Sequence, residues 1–122
     1  MFSALFVEDD TAIREVMTQE LYVRGFAARG FEILAAGNAY EAIRILGERD
    51  VDVLFTDIIM PGMDGVQLAS QAKLIRPGIK VLFATAYAMK AFERRAIQQG
   101  RILYKPVRQL EIVQALEHLV AA

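Results

Sequence analysis

The chain has 122 residues, with 14 Lys and Arg against 15 Asp and Glu, and is 55% hydrophobic and 24% charged. That length suits one domain and leaves no room for two, and the apolar content excludes a disordered tail or linker. With no cysteine, disulfide scaffolds and thiolate metal sites are excluded. No apolar stretch approaches the roughly 18 residues a membrane span requires. The stretch from Met1 to Val7 lacks a basic segment and meets acid at Glu8, unlike a signal peptide. A soluble, compact, cytoplasmic protein is expected. The formal net charge of −1 argues against wholesale nucleic-acid binding. It hides an imbalance: residues 1–61 hold 5 basic and 11 acidic side chains, residues 62–122 hold 9 and 4.

In chain order, short apolar runs alternate with segments of helical spacing, as in a βα repeat. A first strand is expected over residues 4–7, followed by a helix with Ile13, Val16, Met17 and Leu21 on its apolar face. The echo Arg24-Gly25-Phe26 and Arg29-Gly30-Phe31 lengthens the next passage, as helix extension or as loop. A second strand covers residues 31–35. The second helix starts at Asn38, with Glu41 three residues on, and buries Ala42, Ile43 and Leu46. A third strand spans residues 51–56. Asp64 and Gln67 cap a third helix carrying Leu68, Ala69, Ala72 and Ile75, which stops at Pro77-Gly78. The fourth strand, residues 80–84, leads to a helix bearing Ala88, Ala91, Phe92 and Ala96, ended by Gly100. A fifth strand, residues 102–104, precedes a last helix with Ile112, Val113, Leu116, Leu119 and Val120. Connections this short imply parallel strands with right-handed crossovers, and apolar strands imply helices on both faces. The expected fold is α/β: a flavodoxin-like, doubly wound, five-stranded parallel sheet of order 2-1-3-4-5, forming one domain over residues 1–122.

Ligands of such sheets bind beyond the carboxyl ends of the strands, at the switch point between strands 1 and 3. There the sequence places Glu8-Asp9-Asp10, then Asp57, Thr85 and Lys105-Pro106. Taken singly, each has a plain explanation: a solvated helix start, a turn former, strand propensity, a turn. Packing needs none of them, and their joint placement on successive strand ends is what demands a reason. Clustered, Glu8, Asp9 and Asp57 would repel one another or recruit a cation. Hard oxygen ligands without His or Cys favour Mg²⁺, or Mn²⁺ in its place. Mg²⁺ and Lys105 would neutralise a transferring phosphoryl group, Thr85 would donate a hydrogen bond, and an Asp carboxylate would be the nucleophile.

These residues resemble a known family. Phe6-Val7-Glu8-Asp9-Asp10 resembles the acidic first-strand end of the bacterial response-regulator receiver (CheY-like) domain. The stretch Asp57-Ile58-Ile59-Met60-Pro61-Gly62-Met63-Asp64-Gly65 is similar to its phospho-acceptor motif, and Thr85-Ala86 and Lys105-Pro106 to its remaining signature sites. The resemblance covers essentially the whole chain. It implies phosphoryl transfer to Asp57 from a phosphohistidine on a sensor histidine kinase or histidine phosphotransfer protein. It implies Mg²⁺ held by Asp9, Asp57 and the backbone carbonyl of Ile59, with Glu8 acting through water, and places Asp10 at the start of the first helix. Thr85 and the Ala86 N–H would hold phosphoryl oxygens, Lys105 would bridge to carboxylate or phosphate, and the Lys105–Pro106 bond would be cis. The resemblance implies a phospho-accepting signalling module rather than a turnover enzyme, with at most slow self-catalysed phosphorylation and dephosphorylation. Its downstream protein target is expected on the fourth-helix, fifth-strand and fifth-helix face. Direct DNA binding and a membrane are not expected, and the state is monomer or phosphorylation-dependent dimer.

Four features depart from the family pattern or bear on it. The family's switch aromatic falls at Ile102; the aromatic sits instead at Tyr104, as a substitute switch or a Tyr half-buried under the last helix. Neither Ile59 nor Tyr87, each two residues past a signature residue, orients an attacking water well, so a long-lived acyl phosphate is expected. His118 is expected on the surface without a relay role. Lys90, Arg94, Arg95, Arg101 and Arg108 form a solvated face or a docking surface for an acidic partner. An Asp-nucleophile phosphatase would need an acid where Ile59 stands, and a flavodoxin-like cofactor carrier would need a phosphate loop where Glu8-Asp9-Asp10 stands. Starting at Met1 and ending just after the last helix, the chain is expected to be a stand-alone receiver, or else a fragment of a larger regulator or hybrid kinase.

Overall fold

Side-chain alternation along the strands decides which helices lie on which side. In the computed structural model, which describes residues 2–23, 30–86 and 90–121, five parallel strands alternate with five helices. They are β1 (Phe2–Val7), α1 (Thr11–Val23), β2 (Phe31–Ala36), α2 (Ala39–Glu48), β3 (Val53–Asp57), α3 (Gly65–Ile75), β4 (Lys80–Thr85), α4 (Lys90–Gln99), β5 (Arg101–Tyr104) and α5 (Gln109–Ala121). The sheet order is β2-β1-β3-β4-β5 with every pairing parallel, the doubly wound arrangement expected from the sequence.

Successive residues of a strand face opposite sides, so each inner strand feeds two cores. Leu5, Val7, Leu54, Val81 and Phe83 pack with Ala42 and Leu46 of α2, Leu68 and Ala72 of α3 and Ala96 of α4. Ala4, Phe6, Val53, Phe55, Leu82 and Ala84 pack with Leu21 of α1 and Ile112, Val113 and Leu116 of α5. The helices thus divide three and two. Two local signals act as expected. Asp64 accepts from the Gln67 N–H at 2.8 Å while its own N–H donates to Gln67 Oε1 at 3.0 Å, a complete capping box. Asn38 accepts from the Glu41 N–H at 2.8 Å, but the Glu41 carboxylate reaches one residue further, to the Gly37 N–H at 3.0 Å.

Two expectations need correction. Of the apolar face assigned to α1, only Leu21 is buried; Met17 is half-buried, and Ile13 and Val16 are exposed along a groove shared with Val107 and Ile112. At about 100° per residue these four positions fan over about 140°, and exposure grows with angular distance from Leu21. The third strand begins at Val53, not Val51. Val51 is buried without pairing, because Asp52 already turns the chain: its N–H donates to the Ser3 carbonyl and its carboxylate accepts from the Ser3 N–H, both at 2.8 Å. The Arg24-Gly25-Phe26 echo, Tyr87 and Ala88 lie outside the described residues.

Candidate functional site

The site forms at the carboxyl ends of β1, β3, β4 and β5, which lie in that order in the sheet. Asp57 closes β3 opposite Ala84 of β4, and the β4–β5 ladder brings Tyr104, and then Lys105, alongside Thr85. The Lys105 N–H donates to the Thr85 carbonyl at 2.8 Å, which holds the Lys105 backbone at the rim, and the Lys105–Pro106 bond is cis. From there Lys105 Nζ donates to Asp57 Oδ2 at 2.7 Å. Asp57 is 17% exposed and Lys105 33%, so this ion pair is drier than a surface pair and still reachable by a ligand. The other carboxylate oxygen, Oδ1, accepts from the Ile59 N–H at 3.1 Å.

The loop from β3 to α3 is held tightly against this carboxylate. The Gly65 N–H donates to the Ile58 carbonyl at 2.7 Å. A Cβ on Gly65 would lie 2.9 Å from the Ile58 Cα and closer still to the Asp57 carbonyl oxygen, which is why glycine stands there. Gly62 takes a positive φ of 77°, the turn that returns the chain to α3.

On the other side lies the acidic triplet. Asp10 caps α1, its Oδ1 accepting from the Ile13 N–H at 3.0 Å, as its place at the helix start predicts. Asp9 is exposed and Glu8 half-buried. Burial pushes the Glu8 carboxyl above its ordinary value, and Asp9 and Asp57 add to that; Lys105 and a hydrogen bond from the Asp10 backbone pull the other way. Beneath Asp57 and Lys105 is a cavity of about 20 Å³, room for one water-sized molecule, walled in part by Phe6, Phe55, Arg14 and Met17. Neither Arg14 nor Met17 was singled out from the sequence as part of the site. The available signal was an Arg one helical turn beyond an acidic helix cap.

Among the described residues no three Asp, Glu, His or Cys side chains converge as a ready-made metal cage. A donor set of paired carboxylates, one carbonyl and water nevertheless suits Mg²⁺, which keeps several waters and takes only one or two protein carboxylates. The residues present fit such an ion.

Not every predicted residue converges on Asp57. Thr85 is 1% exposed. By strand alternation it shares the side of Phe83, the α2–α3–α4 side, while Asp57 shares that of Phe55, toward α1 and α5. Ala86 follows at the rim, exposed. Ile102 is half-buried against the α2–α3–α4 core. The Tyr104 ring is not under the last helix, since parity with Ile102 turns it toward α4. It is 52% exposed, and its hydroxyl donates to Glu93 Oε1 at 2.5 Å, a bond that raises the phenol above its ordinary range. Arg94, Arg95, Arg101, Arg108 and His118 are all exposed. Arg95 lies over the Phe92 ring, 5.9 Å from its centroid.

Comparison with known proteins agrees with the fold. The model of the response regulator receiver domain family matches residues 4–117. The response regulator receiver protein CpdR of Brucella abortus (strain 2308) is 32% identical over 97% of this chain and 96% of its own length. The DNA-binding transcriptional regulator NtrC of Azospirillum brasilense is 35% identical over 93% of this chain but only 23% of its own. The sensor kinase CckA of Brucella abortus matches over 11% of its length, at 32% identity. Among solved structures, a CheY-like receiver domain protein from Methanospirillum hungatei JF-1 superposes with a TM-score of 0.86. It is 27% identical, with 99% of this chain and 95% of that one covered. No helix of the described residues is long and apolar enough to cross a membrane.

Proposed function

This chain belongs to the response regulator receiver domain family of two-component signalling, and from that membership we propose that Asp57 accepts a phosphoryl group from a phosphohistidine on a sensor histidine kinase or histidine phosphotransfer protein. Receiver domains are in general phospho-acceptors rather than turnover enzymes, and they interact with histidine kinases and downstream targets. The single observation that carries the proposal is the 2.7 Å contact between Lys105 Nζ and Asp57 Oδ2, made by residues 48 apart in sequence. An ammonium preplaced on a carboxylate can neutralise charge where a phosphoryl group arrives, without reorganising during the reaction.

The step is a displacement at phosphorus. A bond forms from an Asp57 carboxylate oxygen to phosphorus as the P–N bond breaks, and the electron pair returns to the imidazole ring of the donor. Asp9, Asp57 and the Ile59 carbonyl would hold Mg²⁺, with Glu8 acting through water, and the ion would neutralise phosphoryl oxygens. Lys105 follows the new negative charge, and the Thr85 hydroxyl and Ala86 N–H donate to it. Because Thr85 starts on the opposite side of the sheet, that donation requires Thr85 to reorient toward Asp57. The phosphoryl group adds about −1.5 to −2 charge, and the rearrangement of Thr85 at the end of β4 biases the α4–β5–α5 face toward its protein target. The exposed arginines of that face suit an acidic protein partner. The protein works in the cytoplasm, as a monomer or a phosphorylation-dependent dimer.

The deciding measurement is intact mass after incubation with MgCl₂ and a small acyl phosphate, for wild type and Asp57→Asn. Wild type is expected to gain one phosphoryl group and the variant none. A gain retained in Asp57→Asn, or no gain in wild type, overturns the assignment. The same material tests the lifetime. Ile59 is 47% exposed and apolar, so it orients no water beside the acyl phosphate. Ile59→Asn is expected to hasten release about tenfold, short of the roughly 10²-fold of a true general base. A wild-type half-life of seconds that the variant leaves unchanged would count against this.

A further inference from the structure

Arg14 lies in the first turns of α1, and its guanidinium turns back toward the strand ends. Nη1 donates to the Glu8 carbonyl oxygen at 2.7 Å, while the Arg14 backbone N–H donates to the Asp10 carbonyl at 2.9 Å. One residue therefore fastens the acidic triplet at both ends. Bonds from a guanidinium to oxygen are charge-assisted, and the planar fork loses little freedom on forming them. The side chain also walls the cavity beneath Asp57 and Lys105.

Gly37, at the end of β2, keeps this path open. A Cβ there would lie 2.9 Å from Arg14 Nη1 and 3.6 Å from Glu41 Oε2, whereas the Gly37 N–H already donates to that Glu41 oxygen at 3.0 Å. The φ of Gly37 is not positive, so space around the guanidinium, rather than backbone strain, makes glycine suitable.

We propose that Arg14 is a positioning residue: by holding the Glu8 carbonyl it fixes the Glu8-Asp9 segment in the orientation that receives a divalent cation, and Gly37 leaves it room to do so. The inference rests on the assignment of Asp9 and Asp57 as cation ligands. It has a sign that charge alone does not give. Removing a positive charge beside an acidic site should tighten cation binding by Coulomb's law; removing a positioning contact should weaken it.

The test is titration of ¹⁵N-labelled protein with MgCl₂, followed by amide shifts, with melting temperatures in EDTA measured in parallel. Arg14→Met, which keeps the apolar stem, is expected to weaken Mg²⁺ binding about tenfold, the lower end for loss of a supporting contact. Arg14→Lys, which keeps charge and one donor, should fall between it and wild type. Gly37→Ala changes no charge and displaces only the end of a flexible side chain. It should weaken binding several-fold while leaving the melting temperature in EDTA nearly unchanged, and it carries the test should Arg14→Met fail to fold. Unchanged or tighter binding in Arg14→Met, or unchanged binding in Gly37→Ala, overturns the role of Arg14. A wild type that shows no Mg²⁺-dependent shifts at all sinks the cation assignment itself, and this inference with it.

Discussion

Lys105→Met is expected to slow phosphorylation of Asp57 by about 10²–10³-fold, the usual loss when one preorganised donor to developing charge is removed. The substitution keeps an unbranched stem of similar length and deletes only the ammonium. In the wild type that ammonium is already 2.7 Å from Asp57 Oδ2, with its backbone anchored on the Thr85 carbonyl. No rearrangement is then needed to place it on an incoming phosphoryl oxygen. Lys105→Arg should recover only part of the rate, because a rigid fork does not replace a compact point donor in a closed rim. The measurement is the rate of mass gain at saturating acyl phosphate and Mg²⁺. A Lys105→Met rate equal to that of wild type would remove Lys105 from the chemistry.

The second large effect concerns stability. Gly65→Ala is expected to cost about 3 kcal/mol or more, at or beyond the upper end of ordinary overpacking. Its neighbours are the Asp57 carbonyl and the Ile58 Cα, backbone atoms that cannot rotate aside. Relief requires the end of β3 to shift or α3 to lift, and either breaks the 2.7 Å bond from the Gly65 N–H to the Ile58 carbonyl. Since that shift moves Asp57, phosphorylation should slow as well. Gly47 supplies the contrast: it lies within α2 with nothing within 4 Å of an added Cβ. There the same change should stabilise by about 1 kcal/mol through helix propensity. Urea unfolding of both variants checks the pair, and a mild loss at Gly65 would mean that the loop gives more readily than its contacts imply.

The family-like stretch from Asp57 to Gly65 gains a structural explanation here. Pro61-Gly62 turns the chain, Asp64 caps α3 and Gly65 admits the helix against the strand end. The motif builds the back wall of the carboxylate that it contains.

What the chain determined by itself was local and periodic. Unbroken apolar runs in β1, β3 and β4 specify two buried faces, and the Asp64–Gln67 box starts α3 where it is written. These rules act between residues at most about four apart, so they are legible in one dimension. Tertiary structure decided the rest. Ile13 and Val16 read as core and stand in solvent, because burial depends on which neighbour the helix meets and not on its own stripe. Tyr104 is bonded to Glu93 of α4 rather than lying under α5, and Thr85 begins on the far side of the sheet from Asp57. Arg14 stands one helical turn past the Asp10 cap, a spacing that does not by itself name the Glu8 carbonyl as its partner. Orientation about a helix or strand end is set by the packing of elements distant in sequence, and a side chain's partner across such a junction is chosen only when the junction closes.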